Sequence, residues 1–190
     1  DSSTSRGLGD VYKRQIRTWV ENVYRLFTDR NFAIIDKDGK KIGYARSVWA
    51  MISLNTRKPA DLLALHGGSI VDYVCDEPCP IEKPSRIKVT STEPASSLNA
   101  KYSDIDINGH VNSIRYIEHI LDLFPIELYK ESRIRRFEMA YVAESYYGDE
   151  LTFYKDYVGN GTYDIEVRKN GGEAVCRSKV IFVELSLIHI

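Results

Sequence analysis

Residues 112–124 read Asn-Ser-Ile-Arg-Tyr-Ile-Glu-His-Ile-Leu-Asp-Leu-Phe, and the fold turns on this stretch. Ile114, Ile117, Leu121 and Phe124 recur at helical spacing, which predicts a helix with one apolar stripe. Asn112 or Ser113 is placed to cap it by accepting a backbone N–H bond. Pro125, with no N–H to continue the ladder, ends it. A short helical stretch at 126–131 follows. Beyond it come four segments of strand character, 134–146, 150–158, 161–169 and 173–184. The turns Gly159-Asn160-Gly161 and Asn170-Gly171-Gly172 separate the last three. This order predicts a layered α+β unit, an antiparallel sheet curled around a long helix.

Upstream, residues 16–55 carry alternating and β-branched runs, Ile16 to Val20, Phe32 to Ile35 and Ile42 to Leu54, with an Asp38-Gly39 turn. They read as a β-meander. Gly67, Gly68, Pro78, Pro80 and Pro84 then interrupt regular structure, so 67–86 reads as a linker. Shifting the chain by 131 positions lays Phe32 to Met51 over Tyr163 to Phe182 without a gap. The expectation is a tandem: 16–66 as the C-terminal part of a first unit whose own helix is missing, and 87–184 as a complete second unit.

The two ends are set apart. Asp10 to Gln15 can be encoded by GATGTGTATAAGAGACAG, and the reverse complement of that string encodes Leu185 to Ile190. The inverted pair resembles a transposon end used in preparing sequencing libraries. Residues 1–15 and 185–190 are therefore expected to be foreign, and His189 is dropped as a catalytic candidate.

Of the 190 residues, 43% are hydrophobic and 28% charged, with a net charge of −1. That suffices for one ordinary domain or two small ones. No run approaches the roughly 18–20 apolar residues of a membrane span. The near-neutral balance gives no nucleic-acid surface. Three cysteines, Cys75, Cys79 and Cys176, are an odd number; they fit a reducing compartment, and the cytoplasm is the expected location. Cys75 and Cys79 form a C-x3-C pair without a second ligand pair, and read as loop thiols.

Polar residues are densest in Tyr102-Ser-Asp-Ile-Asp-Ile-Asn-Gly-His-Val-Asn112. If 104–108 is extended, Asp104, Asp106 and Asn108 share a face, and Gly109 lets the chain turn so that His110 joins them at the helix N-terminus. Two readings stay open. The residues build an Asx-turn and a cap, or they converge for chemistry, with first-turn N–H groups to receive an oxyanion. One histidine and two aspartates at these spacings lack the paired-ligand pattern of a zinc site. No metal and no cofactor are expected.

Asp104-Ile-Asp106-Ile-Asn108-Gly-His110-Val-Asn112, followed by Arg115-Tyr116-Ile117 and the apolar helix, resembles the signature of plant and bacterial acyl-acyl-carrier-protein thioesterases. Glu138 to Asp149, with Glu144-Ser145 ahead of Gly148-Asp149, is similar to the family's second signature, and Ile16 to Trp19 and Gly43 to Leu54 resemble the end of its first hot-dog. The resemblance implies a tandem hot-dog fold, here as a fragment lacking the N-terminal part, with Asp106, Asn108, His110 and Glu144 as the catalytic set. It also implies hydrolysis of acyl-carrier-protein thioesters to free fatty acids, acyl carrier protein as partner, and a possible homodimer. Plant members carry cysteine where Ser145 stands, which argues for attack by water over a thiol nucleophile. Glu144, assisted by His110, would take the proton from water, Asn108 would position water or carbonyl, Asp106 would orient the cluster, and N–H groups near Gly109 to Val111 would receive the charge. Which of His110 and Glu144 is the primary base stays open. The alternatives are a hot-dog acyl-CoA thioesterase and a non-catalytic acyl-binding domain.

His119 is expected on the helix as a surface or packing residue, and His66 at the linker edge. Lys130, Arg133, Arg135 and Arg136 read as a solvated basic face, or as a dock for an acidic carrier protein. Trp19, Trp49, Phe32 and Phe182 are expected in core packing.

Overall fold

The computed structural model describes residues 14–56 and 58–185, so most of the two terminal segments read as foreign lies outside the described residues. The chain divides into two compact units, meeting at Pro84 and Ser85.

The first unit is a three-stranded antiparallel meander of β1 (Gln15–Val23), β2 (Phe27–Ile35) and β3 (Lys41–Ala50), in that order across the sheet. The β2–β3 turn is closed by Asp36, whose Oδ1 accepts the N–H of Asp38 at 3.0 Å and of Lys40 at 2.9 Å. Gly39 takes a φ of 80°, a left-handed backbone that a residue with a Cβ rarely adopts. A small core gathers Trp19, Ala33 and Cys79. The Trp19 indole N–H donates to the Glu77 carbonyl at 2.8 Å, so the buried ring keeps its polar edge satisfied. A 3-10 stretch, Leu65–Tyr73, runs into the first part of the segment read as linker. Trp49 is 57% exposed and so is not the core residue expected from sequence.

The second unit is a five-stranded antiparallel sheet in the order β4 (Ser96–Asn99), β6 (Glu150–Gly159), β7 (Thr162–Lys169), β8 (Glu173–Glu184) and β5 (Ser132–Tyr141). Alternation along the strands sends Leu151 and Phe153 of β6, Ile165 and Val167 of β7, and Val180 and Phe182 of β8 into one core. Five of these six side chains have no exposure at all. Each such burial contributes about 1.5–3 kcal/mol, so this face dominates the unit's stability.

Against that core stands α1 (Ser113–Leu121), followed by α2 (Ile126–Glu131). Asn112 caps α1 through its Oδ1, which accepts the N–H of Ile114 at 3.0 Å. The expected sheet curled around a long helix is not found. α1 has only nine residues, roughly 14 Å of rise. It stops because Leu123 and Phe124 donate to carbonyls three residues back, Ile120 and Leu121, each at 3.2 Å, and Pro125 then offers no N–H. Among the described residues the architecture is α+β with two units, two short α-helices and two antiparallel sheets. The helix phase also differs from expectation. Tyr116 and Ile120 are buried and Phe124 continues their row past the helix end, whereas Ile114 is 54% exposed. Tyr116 supplies the stripe because its ring is apolar over most of its surface.

Candidate active site

The segment from Lys101 to Asn112 is not extended. Tyr102–Asp104 forms a single 3-10 turn, and Asp106 to His110 doubles back so that Ile105 and Val111 lie opposite each other as an antiparallel bridge. The tip is closed by backbone bonds: Gly109 N–H to Asp106 O at 3.0 Å and Asp106 N–H to His110 O at 2.8 Å. Gly109 has a φ of 82° and only open space where a Cβ would stand, so the position is reserved by conformation and not by crowding.

This geometry separates the three polar residues expected to share a face. Asp104 is buried; its Oδ2 accepts the Lys101 N–H at 2.7 Å, and its Oδ1 lies 3.3 Å from His119 Nε2. His119 thus has a hydrogen-bond partner in Asp104 besides its packing. Asp106 turns its Oδ1 to the N–H of Asn108 at 2.8 Å and of His110 at 3.3 Å. Burial works to raise the Asp106 carboxyl, but these N–H groups, with the Asn108 side chain and the His110 ring, hold it below its ordinary value. Asn108 is exposed.

The second segment leaves the sheet after Tyr141. Val142 and Ala143 both donate to the Val175 carbonyl, at 2.8 and 3.2 Å, and the chain then departs from β8. Glu144 is therefore in the loop between β5 and β6 and not on a strand. That loop is tied at several points: Lys169 Nζ donates to the Glu144 carbonyl at 2.8 Å, and Asp149 Oδ2 accepts the Tyr146 N–H at 2.9 Å. The Asn170 amide and that Tyr146 N–H hold the Asp149 carboxyl below its usual range. Val111 N–H donates to Ser145 O at 2.8 Å and joins the two segments through the main chain.

Where they meet, His110 Nε2 lies 3.4 Å from Glu144 Oε2, with the imidazole about a quarter and the carboxylate about half exposed. The Tyr146 hydroxyl donates to the same Glu144 oxygen at 3.1 Å, and its ring stands edge-on to His110 at 5.2 Å. Asp106, His110 and Glu144 line one cavity of about 210 Å³ with Tyr116, Tyr141 and Ser145. Asn108, the fourth expected residue, is not on its wall. Burial pushes the phenols of Tyr116 and Tyr141 up, and the Cys176 thiol to about 12, so all three stay protonated near neutrality. The pair of groups able to take and give a proton, at the edge of a small cavity, is suited to general acid–base chemistry on a neutral electrophile. Among the described residues no group of three His, Cys, Asp or Glu is arranged to hold a metal. Sequence reasoning assigned no role to Tyr116, Tyr141 or Tyr146; the one visible signal was the Tyr146-Tyr147 pair directly after Glu144-Ser145.

Residues 87–184 match the Acyl-ACP thioesterase C-terminal domain. The chain belongs to the acyl-ACP thioesterase family. Residues 11–64 match the N-terminal domain of that family. Both domains are thus represented in this thioesterase family member, which overturns the expectation of a fragment lacking the N-terminal part. The crystal structure of an acyl-ACP thioesterase from Bacteroides thetaiotaomicron is 79% identical, with a TM-score of 0.83 over 90% of this chain and 68% of that one. The 12:0-ACP thioesterase from Umbellularia californica shares the fold at 19% identity, with a TM-score of 0.73 over the same shares of the two chains. The palmitoyl-acyl carrier protein thioesterase of Arabidopsis thaliana chloroplasts is 27% identical over 143 residues, 72% of this chain and 34% of its own length. The chain spans about a third of the length of the curated relatives it matches. Among the described residues no helix is long and apolar enough to cross a membrane.

Proposed function

We propose that this acyl-ACP thioesterase family member hydrolyses the thioester of an acyl chain carried on acyl carrier protein and releases the free fatty acid. The observation that carries the reading is the 3.4 Å approach of His110 Nε2 to Glu144 Oε2 at the cavity edge. A water placed there gives its proton to the pair as its oxygen attacks the thioester carbonyl; the C–S bond then breaks and the thiolate leaves with the proton returned. Asp106 acts through its grip on the turn that carries His110, and Asn108 acts with Asp106 from outside the cavity wall. The likeness to proteins named as acyl-ACP thioesterases supports the carrier protein as partner. Its acidic surface has a matching target in Lys130, Arg133 and Arg135, all exposed; Arg136, by contrast, is committed to Glu138 at 2.6 Å. The three free thiols support a reducing setting, the cytoplasm.

The test is release of free fatty acid by the full chain from acyl carrier proteins bearing C8 to C18 chains, beside the same chains on CoA. Faster turnover on the carrier protein is the expected result. Preference for CoA would move the reading to an acyl-CoA thioesterase, and bound acyl chain without product would leave an acyl-binding domain.

A further inference from the structure

The reaction proposed above develops negative charge on the thioester oxygen, and an enzyme of this kind needs hydrogen-bond donors aimed at it. The N–H groups that sequence reasoning offers for the task are all committed. Gly109 N–H is spent on Asp106 O, His110 N–H on Asp106 Oδ1, and Val111 N–H on Ser145 O.

Two other donors wait at the same cavity. Tyr116 is 3% exposed and Ser145 1%, and both residues line the cavity with His110 and Glu144. Among the described residues neither Tyr116 Oη nor Ser145 Oγ makes a hydrogen bond within 3.5 Å. The two hydroxyls face each other over a looser contact: burial raises the Tyr116 phenol, and a hydrogen-bonding contact with Ser145 partly offsets that rise. A pair of hydroxyls that can bond only to each other leaves one O–H without an acceptor, and a buried unpaired hydroxyl costs more than a typical hydrogen bond contributes. That spare donor sits beside the residues that carry the proposed chemistry.

We propose that Tyr116 Oη and Ser145 Oγ are the oxyanion donors of this site, gripping the thioester carbonyl oxygen as water attacks. The inference rests on the hydrolase reading and deepens it. Both oxygens are shielded from bulk water, where a donated hydrogen bond is strongest. The carbonyl reaches them as substrate enters, in keeping with catalytic hydrogen bonds that tighten only in the bound complex. Ser145 then acts as a donor and not as a nucleophile.

The experiment compares wild type, Ser145→Ala, Tyr116→Phe and Glu144→Gln on acyl carrier protein and acyl-CoA substrates. It also measures melting temperature and the affinity of an acyl trifluoromethyl ketone, whose hydrated, tetrahedral carbon with its ionisable oxygen mimics the tetrahedral state. Each hydroxyl deletion is expected to lower kcat by about 10²-fold with KM within a few-fold. The ketone should bind correspondingly more weakly, and the melting temperature should not fall. Wild-type kcat in both deletions, with Glu144→Gln inactive, would overturn the donor assignment and leave the hydrolase reading standing. A lowered melting temperature with unchanged ketone affinity would make the pair structural, and an acyl ester trapped on Ser145 would make it a nucleophile; either result overturns the proposal. Wild type inactive on every thioester would remove the hydrolase reading and this inference with it.

Discussion

The two segments that wall the cavity are built on opposite plans. In 104–112 the polar side chains serve their own stretch of the chain: Asp104 binds the Lys101 N–H, Asp106 the N–H groups of Asn108 and His110, and Asn112 the N–H of Ile114. In 142–149 the backbone is held from outside by Val175 and Lys169, and the Glu144 carboxylate is presented to His110 and Tyr146. Two acidic residues on one cavity wall therefore divide their work. Asp106 fixes the turn, and Glu144 faces His110, where the proposed chemistry needs it.

That division breaks most visibly if Glu144→Gln behaves like a structural variant. The expected outcome is a fall in kcat of about 10³-fold, measured by fatty-acid release, with the urea unfolding midpoint unmoved. Asp106→Ala is expected to lose about 10²-fold, since displacing a catalytic group by an ångström costs that much, and to lower the melting temperature as well. Asp106→Asn sharpens the contrast: its amide oxygen accepts the same two N–H bonds, so it should recover at least about ten-fold of the Ala loss. If Asn is as poor as Ala, the carboxylate charge itself takes part in the reaction.

Gly109→Ala tests the turn alone. With open space around the missing Cβ, the cost is the left-handed backbone, about 1–2 kcal/mol in urea titration, with KM little changed. The smallest effect is in acid. Asp106 and Asp149 both have folded values below their ordinary ones, so their contribution is present above the unfolded value, near about 4, and is lost as pH falls through the folded value. A D106N/D149N double variant should show a shallower loss of unfolding midpoint below about pH 4 than wild type, and the two curves should run parallel above it.

How far the sequence was legible depends on which residues set each feature. The last three strands match closely because Asn160 and Asn170 take φ values of 50° and 48° beside glycines, and such local signals are readable from the chain. The helix phase was missed because Tyr116 competes with Ile114 for the buried stripe, and only the facing sheet decides between them. The expected strand 134–146 ends at Tyr141 because Val175, some thirty residues away, takes two N–H bonds from Val142 and Ala143. The internal shift of 131 positions lays the β2–β3 hairpin over the β7–β8 hairpin, but out of register. It would carry the Phe32–Ala45 pair onto Tyr163 and Cys176, whereas Tyr163 pairs with Val180. His110 and Glu144 were identified by resemblance, and their approach depends on loops whose closure no local pattern encodes.

The link from Val111 N–H to Ser145 O has a consequence for how such a site can change over time. Because the staple is made of peptide groups, it is indifferent to which side chains stand at 111 and 145, proline at 111 excepted. Lineages can exchange serine for cysteine beside the glutamate, retuning the chemistry at that spot, while the spacing between imidazole and carboxylate is inherited intact from the main chain.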